Sequence, residues 1–305
     1  MARPLALIVN AGSGRGRTTP ARGPDALRAA FAQAGLGIEV HALSPGEDME
    51  ALLDRALGSN PSGLVAAGGD GTVNAVAARA LRQDLPLGVL PLGTLNHFAR
   101  DLGIPDDLEA AVQVIAAGAE RRVDVATAND RVFLNNASIG LYATIVVDRE
   151  RQQRRLGRGK WSALLRATLA ALRDPDAFEA VIEVEGRELR RRTPFLFVGN
   201  NDYEVQGTKA GCRARLDDGL LSLYILHPRT SSGLLWLAVR TFLRGTAGDS
   251  DLDAFAVQSL VVHARGSQLQ VARDGEVDPM EAPVRFAVLP RALRVYAPAN
   301  EERTG

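Results

Sequence analysis

The chain has 305 residues, 46% hydrophobic and 24% charged, which is the composition of an ordinary globular protein long enough for two domains. Thirty-six basic and 36 acidic residues cancel, so no global field favours nucleic acid. The single Cys212 excludes an internal disulfide framework, the four histidines are scattered, and the longest uncharged run, 132–147, is too short and too polar to span a bilayer; a cytoplasmic enzyme or binding protein remains.

In chain order, the apolar run 5–9 predicts a first strand, followed by a glycine-rich turn. A helix over 25–34 stops at Gly35, and a strand follows over 38–43. Ser44-Pro45-Gly46-Glu47 reads as a capping box with proline at the first helical position, ahead of Met49, Leu52, Leu53, Ala56 and Leu57 at helical spacing. Strand 63–67, helix 72–81 and strand 86–92 come next. Asp106-Asp107-Leu108-Glu109 starts a capped helix ending at Gly118. Strands alternating with helices imply βαβ units and a mostly parallel sheet.

Beyond Val123 the texture changes. Residues 123–127 and 132–136 read as hairpin strands around Asn129-Asp130, and two helical stretches follow. Strands are expected over 178–185, 189–198, 220–226, 254–263 and 268–272, with a helix near 232–243. This half predicts an antiparallel, strand-rich second domain. The last strands, 286–289 and 293–296, suit either domain.

Three glycine-rich turns end strands of the first half. Asn10-Ala11-Gly12-Ser13-Gly14 is neither a Walker A loop nor a dinucleotide fingerprint. Gly68-Gly69-Asp70-Gly71-Thr72, followed by Val73-Asn74, is more specific. Adjacent glycines let backbone N–H groups converge on an anion at a helix N-terminus, and an aspartate there calls for a divalent cation between it and the phosphates. Gly93-Thr94-Leu95-Asn96 closes the next strand. Ligands of such sheets bind outside the carboxyl ends of the strands, so the turns point to one crevice.

These motifs resemble the diacylglycerol kinase catalytic-domain family, which includes bacterial soluble lipid kinases and sphingosine kinases. The resemblance continues through Val123-Asp124, Asp217-Asp218-Gly219-Leu220-Leu221 and Asp274-Gly275-Glu276, nearly the whole chain. It implies an α/β nucleotide-binding domain over 1–122, completed by 286–298 if the last strands return to it. A β-sandwich-like acceptor domain would occupy 123–285. It implies Mg²⁺-dependent transfer of the ATP γ-phosphoryl group to a lipid hydroxyl, diacylglycerol-like. Asn10, Ser13, Gly14, Gly68, Gly69, Asp70, Gly71, Thr72, Asn74, Gly93 and Thr94 would hold ATP. Asp70 and Asp124 would share the metal network, and Glu276 would accept the proton. A structural Mg²⁺ or Ca²⁺ would use the Asp218 carboxylate and the carbonyls of Arg215 and Leu220, a donor mixture that suits either ion.

The chain departs from the family at Ala75, where glutamate is frequent, at His97, where aspartate is frequent, and at Ala42, loosely aligned with a threonine. The basic stretch 149–160, ahead of Trp161, Leu164, Leu165, Thr168 and Leu172, reads as the solvated flank of a core-facing helix or as a membrane-surface contact. Residues 233–237 are a second such candidate, and Cys212 is a spectator. The rival functions are a catalytically weak nucleotide-binding regulatory protein, motivated by Ala75 and His97, and an NAD-kinase-like enzyme. Oligomeric state leaves no mark in the sequence.

Overall fold

All five residues of strand β1 (Leu5–Val9) are buried, as are those of β3 (Leu64–Gly68) and β4 (Leu87–Pro91), in a computed structural model of the protein. The structure describes residues 3–10, 23–44, 46–140, 177–203, 213, 215–227 and 252–299. The chain divides into two units, Met1–Val125 with Pro290–Gly305, and Ala126–Leu289.

In the first unit β1 pairs in parallel with β2 (Ile38–Ala42) and β3, and β3 pairs in parallel with β4. Strands buried on both faces need helices on both faces. Those are α1 (Pro24–Gln33), α2 (Met49–Leu57), α3 (Asp70–Gln83) and α5 (Leu108–Ala116), with the short α4 (His97–Asp101) after β4. Helix α1 packs on α5 and α2 on α3. Leu27, Phe31, Leu52, Leu53, Val76, Val112 and Ile115 face the core. The Arg79 guanidinium of α3 bonds Glu50 and Asp54 of α2.

The predicted cap at Asp107 forms: its carboxylate accepts the Ala110 N–H at 2.9 Å. The predicted box at Ser44 does not start a helix. Glu47 accepts the Ser44 N–H at 2.9 Å, but Gly46 has φ +82°, outside helical geometry, and α2 begins at Met49 after Asp48. The Ser44 N–H first, then Arg55, hold the Glu47 carboxyl below its ordinary range.

The second unit is antiparallel, with two sheets around one core. One sheet runs β12-β11-β10-β7-β14-β15, formed by Leu252–Val257, Leu221–Leu226, Phe195–Asn200, Asn136–Gly140, Gln268–Arg273 and Glu276–Glu281. In the other, β13 (Ser259–Ala264) pairs with β8 (Phe178–Val184) and with the first half of β16 (Val284–Tyr296), and β8 pairs with β9 (Arg187–Thr193). Strand β5 (Glu120–Ala128) turns through Asn129-Asp130, Asn129 at φ +50°, into β6 (Arg131–Phe133). Alternation sets the inner faces: Ala180, Ile182 and Val184 of β8 are buried with Leu196 and Val198 of β10 and Leu221, Leu223 and Ile225 of β11.

Three predicted strands are broken and two are fused. The run 189–198 is two strands in different sheets, divided at Pro194, which has no N–H for a ladder. The run 254–263 divides at Gln258, between β12 in one sheet and β13 in the other. The run 132–136 divides at Leu134-Asn135, whose N–H groups turn to a carboxylate instead of a strand. The two last strands are one, β16, whose final turn of chain meets β4 in parallel at Val295↔Leu87. The helical stretches expected after Gly140 and near 232–243 lie outside the described residues.

Candidate active site

The turns after β1, β3 and β4 are tied to one another by hydrogen bonds and by close backbone contact. Asn10, just past β1, donates its amide to the Thr72 hydroxyl at 3.1 Å. Gly69 precedes α3, and Asp70 opens the helix with its Oδ1 accepting the backbone N–H of His97 at 2.9 Å. Thr72 and Asn74, in the first turns of α3, are buried. A Cβ on Gly68 would lie 2.7 Å from the Thr72 hydroxyl, and one on Gly93 would lie 2.5 Å from the Gly69 Cα. Here glycine is a packing requirement. Gly71 is partly exposed and Thr94 is exposed.

The structure thus brings together Asn10, Gly68, Gly69, Asp70, Thr72, Gly93 and Thr94 at the ends of three neighbouring parallel strands. Ser13 and Gly14 lie outside the described residues. So do Cys212, residues 149–160, the apolar positions 161–172, and 233–237.

Asp124 on β5 is 1% exposed, and its Oδ1 accepts the Arg291 N–H at 2.7 Å. Arg291 sits within β16 at φ +49°, next to Pro290, so a local kink in the strand aims this N–H at the carboxylate.

In the second unit Glu276 is exposed at the start of β15, paired across from Arg273. The turn that delivers it is strongly held. Asp274, at φ +45°, accepts the N–H of Leu134 at Oδ2 (2.8 Å) and those of Asn135 and Asn136 at Oδ1 (2.8 and 3.2 Å). Burial pushes the Asp274 carboxyl up from its ordinary value, opposed by these three N–H groups and by the Arg213 guanidinium. Arg213 is buried, donating to the Leu134 carbonyl (2.6 Å), the Asn200 carbonyl (3.2 Å) and Asn135 Oδ1 (2.8 Å). Asn200 also donates to the Leu134 carbonyl, and the Tyr203 hydroxyl donates to that of Asn135. Sequence reading missed this network. The only signal was Asn135 and Asn136 interrupting an apolar run.

Asp218 lies between Asp217 and the φ +70° Gly219, with the Arg215 guanidinium 3.1 Å from its Oδ1. The Leu220 carbonyl accepts the Asn201 N–H at 3.0 Å, which leaves that oxygen a second lone pair.

Two family descriptions match. Residues 4–128 match the diacylglycerol kinase catalytic domain, and 135–297 match the YegS C-terminal NAD kinase beta sandwich-like domain. The chain belongs to the diacylglycerol kinase family of lipid kinases. A Pseudomonas aeruginosa protein named "Probable lipid kinase YegS-like" is 33% identical over 297 residues, 91% of each chain. An uncharacterized Synechocystis protein is 29% identical over 80% of this chain, a stretch spanning 56% of its own length. The crystal structure of a diacylglycerol kinase from Bacillus anthracis superposes with a TM-score of 0.68 at 20% identity, covering 99% of this chain and 98% of its own.

Among the described residues no helix is long and apolar enough to cross a membrane, and no three His, Cys, Asp or Glu side chains converge as a metal cage. Kinase chemistry asks for less: a divalent cation on phosphates needs one or two carboxylates and keeps its remaining sites for phosphate oxygens and water. Asp70 fits that donor set. It stands at the positive end of a 14-residue helix, and one of its oxygens is steadied by a peptide N–H.

Proposed function

We propose that this lipid kinase transfers the γ-phosphoryl group of Mg·ATP to the hydroxyl of a lipid alcohol, with diacylglycerol or a close relative as acceptor. The interlocked turns after β1, β3 and β4 carry the reading, because they combine glycine backbone, a helix N-terminus and one fixed carboxylate. Asn10, Ser13, Gly14, Gly68, Gly69, Gly71, Thr72, Asn74, Gly93 and Thr94 bind the nucleotide. Asp70 and Asp124 would hold Mg²⁺ and its water, and the ion would supply positive charge against the negative charge that develops on the transferring phosphoryl group.

The acceptor oxygen attacks the γ-phosphorus as the bond to the β–γ bridging oxygen breaks and ADP leaves. Glu276 takes the hydroxyl proton. The Asp274 clamp keeps the turn carrying Glu276 in one conformation, which supports that role over a solvated hairpin glutamate. A structural Mg²⁺ or Ca²⁺ at Asp218, with the carbonyls of Arg215 and Leu220, would compete with the Arg215 guanidinium, which is exposed and free to swing into solvent while Asp218 is half-buried. The acceptor is reached at a membrane surface, for which the basic stretch 149–160 supplies charge.

Purified protein, labelled ATP, Mg²⁺ and a panel of diacylglycerol, phosphatidylglycerol and long-chain amino alcohols test the reading. Label in the diacylglycerol fraction is the expected result. ATP binding without transfer to any lipid would overturn it in favour of a nucleotide-binding regulatory protein.

A further inference from the structure

One side chain closes the turn after β4, and it lies outside the set of nucleotide contacts named above. Asn96 adopts φ +50° and ψ +43°, the left-handed region, immediately before α4. Asparagine tolerates that region better than most residues, yet it is still uncommon there. Its side chain makes three hydrogen bonds, all to the end of β4 and the turn after it. Oδ1 accepts the Gly93 N–H at 3.0 Å, and Nδ2 donates to the carbonyls of Pro91 at 3.3 Å and Gly93 at 3.2 Å.

The amide therefore closes the 91–96 segment into a compact loop that cannot open without losing all three bonds. The same loop presses Gly93 against Gly69, where an added Cβ would meet the Gly69 Cα at 2.5 Å and Asn96 Oδ1 at 2.7 Å. The next peptide, His97 N–H, is the donor that holds Asp70 Oδ1 at 2.9 Å. Asn96 thus fixes the second turn directly and the carboxylate of the first turn through its neighbour's peptide.

We infer that Asn96 is a positioning residue for the metal–nucleotide complex: it sets where the Asp70 carboxylate and the Gly93 backbone stand relative to each other. The inference rests on the reading of these turns as the Mg·ATP site. It gives the exposed His97 side chain no part, because the bond to Asp70 uses the peptide N–H, which any residue except proline supplies.

The test is Asn96→Gly, which keeps the left-handed backbone accessible and removes only the clamp. Nucleotide affinity is measured by calorimetry with Mg²⁺ and with EDTA. Mg·ATP affinity should fall about 10- to 100-fold, the scale of one lost hydrogen bond to a charged group. Affinity for metal-free ATP should fall by less, so that the enhancement by Mg²⁺ shrinks. A structural role alone would weaken both equally. Equal losses, or wild-type Mg·ATP affinity, would overturn the inference and leave the kinase reading standing. Wild type that binds no nucleotide would overturn both. Hydrogen exchange on wild type tests the clamp without any variant: the Gly93 and His97 amides should exchange slowly beside the exposed Thr94 and Leu95, and equally fast exchange at all four would refute it.

Discussion

Gly93→Ala is the most direct test of the interlock between the two turns. An added methyl would lie 2.5 Å from the Gly69 Cα, 2.7 Å from Asn96 Oδ1 and 3.3 Å from the Gly69 N. Carbon atoms pack comfortably at about 3.5–4.0 Å, so the turns must separate by roughly 1 Å. Two of the three obstacles are backbone atoms at the start of α3, which cannot rotate aside. Overpacking of this kind costs about 1–3 kcal/mol. In a unit of this size that corresponds to a fall of about 2–12 °C in melting temperature. A shift of about 1 Å at the phosphates breaks hydrogen bonds to a charged group, each worth about 1.5–3 kcal/mol, and should also lower Mg·ATP affinity by about 10- to 100-fold. Gly37→Ala is the matched control, since a Cβ there meets nothing within 4 Å. Thermal melts and nucleotide calorimetry on the two variants give the comparison. If Gly93→Ala matched Gly37→Ala in both, the turns would not be in contact in solution, and the geometry argued for the site would be wrong.

Glu276→Gln should lower kcat by about 10²–10⁴ while Mg·ATP affinity stays near wild type, because general-base assistance acts in the transition state; steady-state kinetics with calorimetry decides it, and weak nucleotide binding at normal kcat would refute the role. If Asp218 holds a structural cation, EDTA should lower the melting temperature of wild type but not of Asp218→Ala, and equal shifts would refute the site. On the second unit's surface, Arg191 at 2.8 Å and then His227 at 3.1 Å hold the Asp253 carboxyl below its ordinary range, with burial opposing them. A lowered folded pKa stabilises above the unfolded value of about 3.9 and is lost as pH falls through the folded value. Asp253→Asn should therefore cost about 0.5–1 kcal/mol near neutral pH, and less and less below about pH 4, as read by urea melts across pH.

Much of the first unit is written in local pattern. The continuous apolar runs of β1, β3 and β4 announce strands buried on both faces, and Asp107 announces its helix, because strand period and cap chemistry act over a few residues. The glycine turns were legible for the same reason: the Gly69 backbone leaves no room for a Cβ at Gly93, nor the Thr72 side chain for one at Gly68, so a glycine marks each close approach. Local pattern failed where the chain changes sheets. The strand-like runs read on through Pro194 and Gln258, while the tertiary fold assigns the two halves to different layers. It failed again at Asp274, whose partners Leu134, Asn135 and Asn136 stand some 140 positions away. A buried carboxylate must find donors, but which donors reach it is decided by the long-range closure of the sandwich. The residue types proposed for the chemistry were thus legible in the sequence, whereas the hydrogen bonds that hold Asp70, Asp124 and the Glu276 turn in place belong to the folded chain alone.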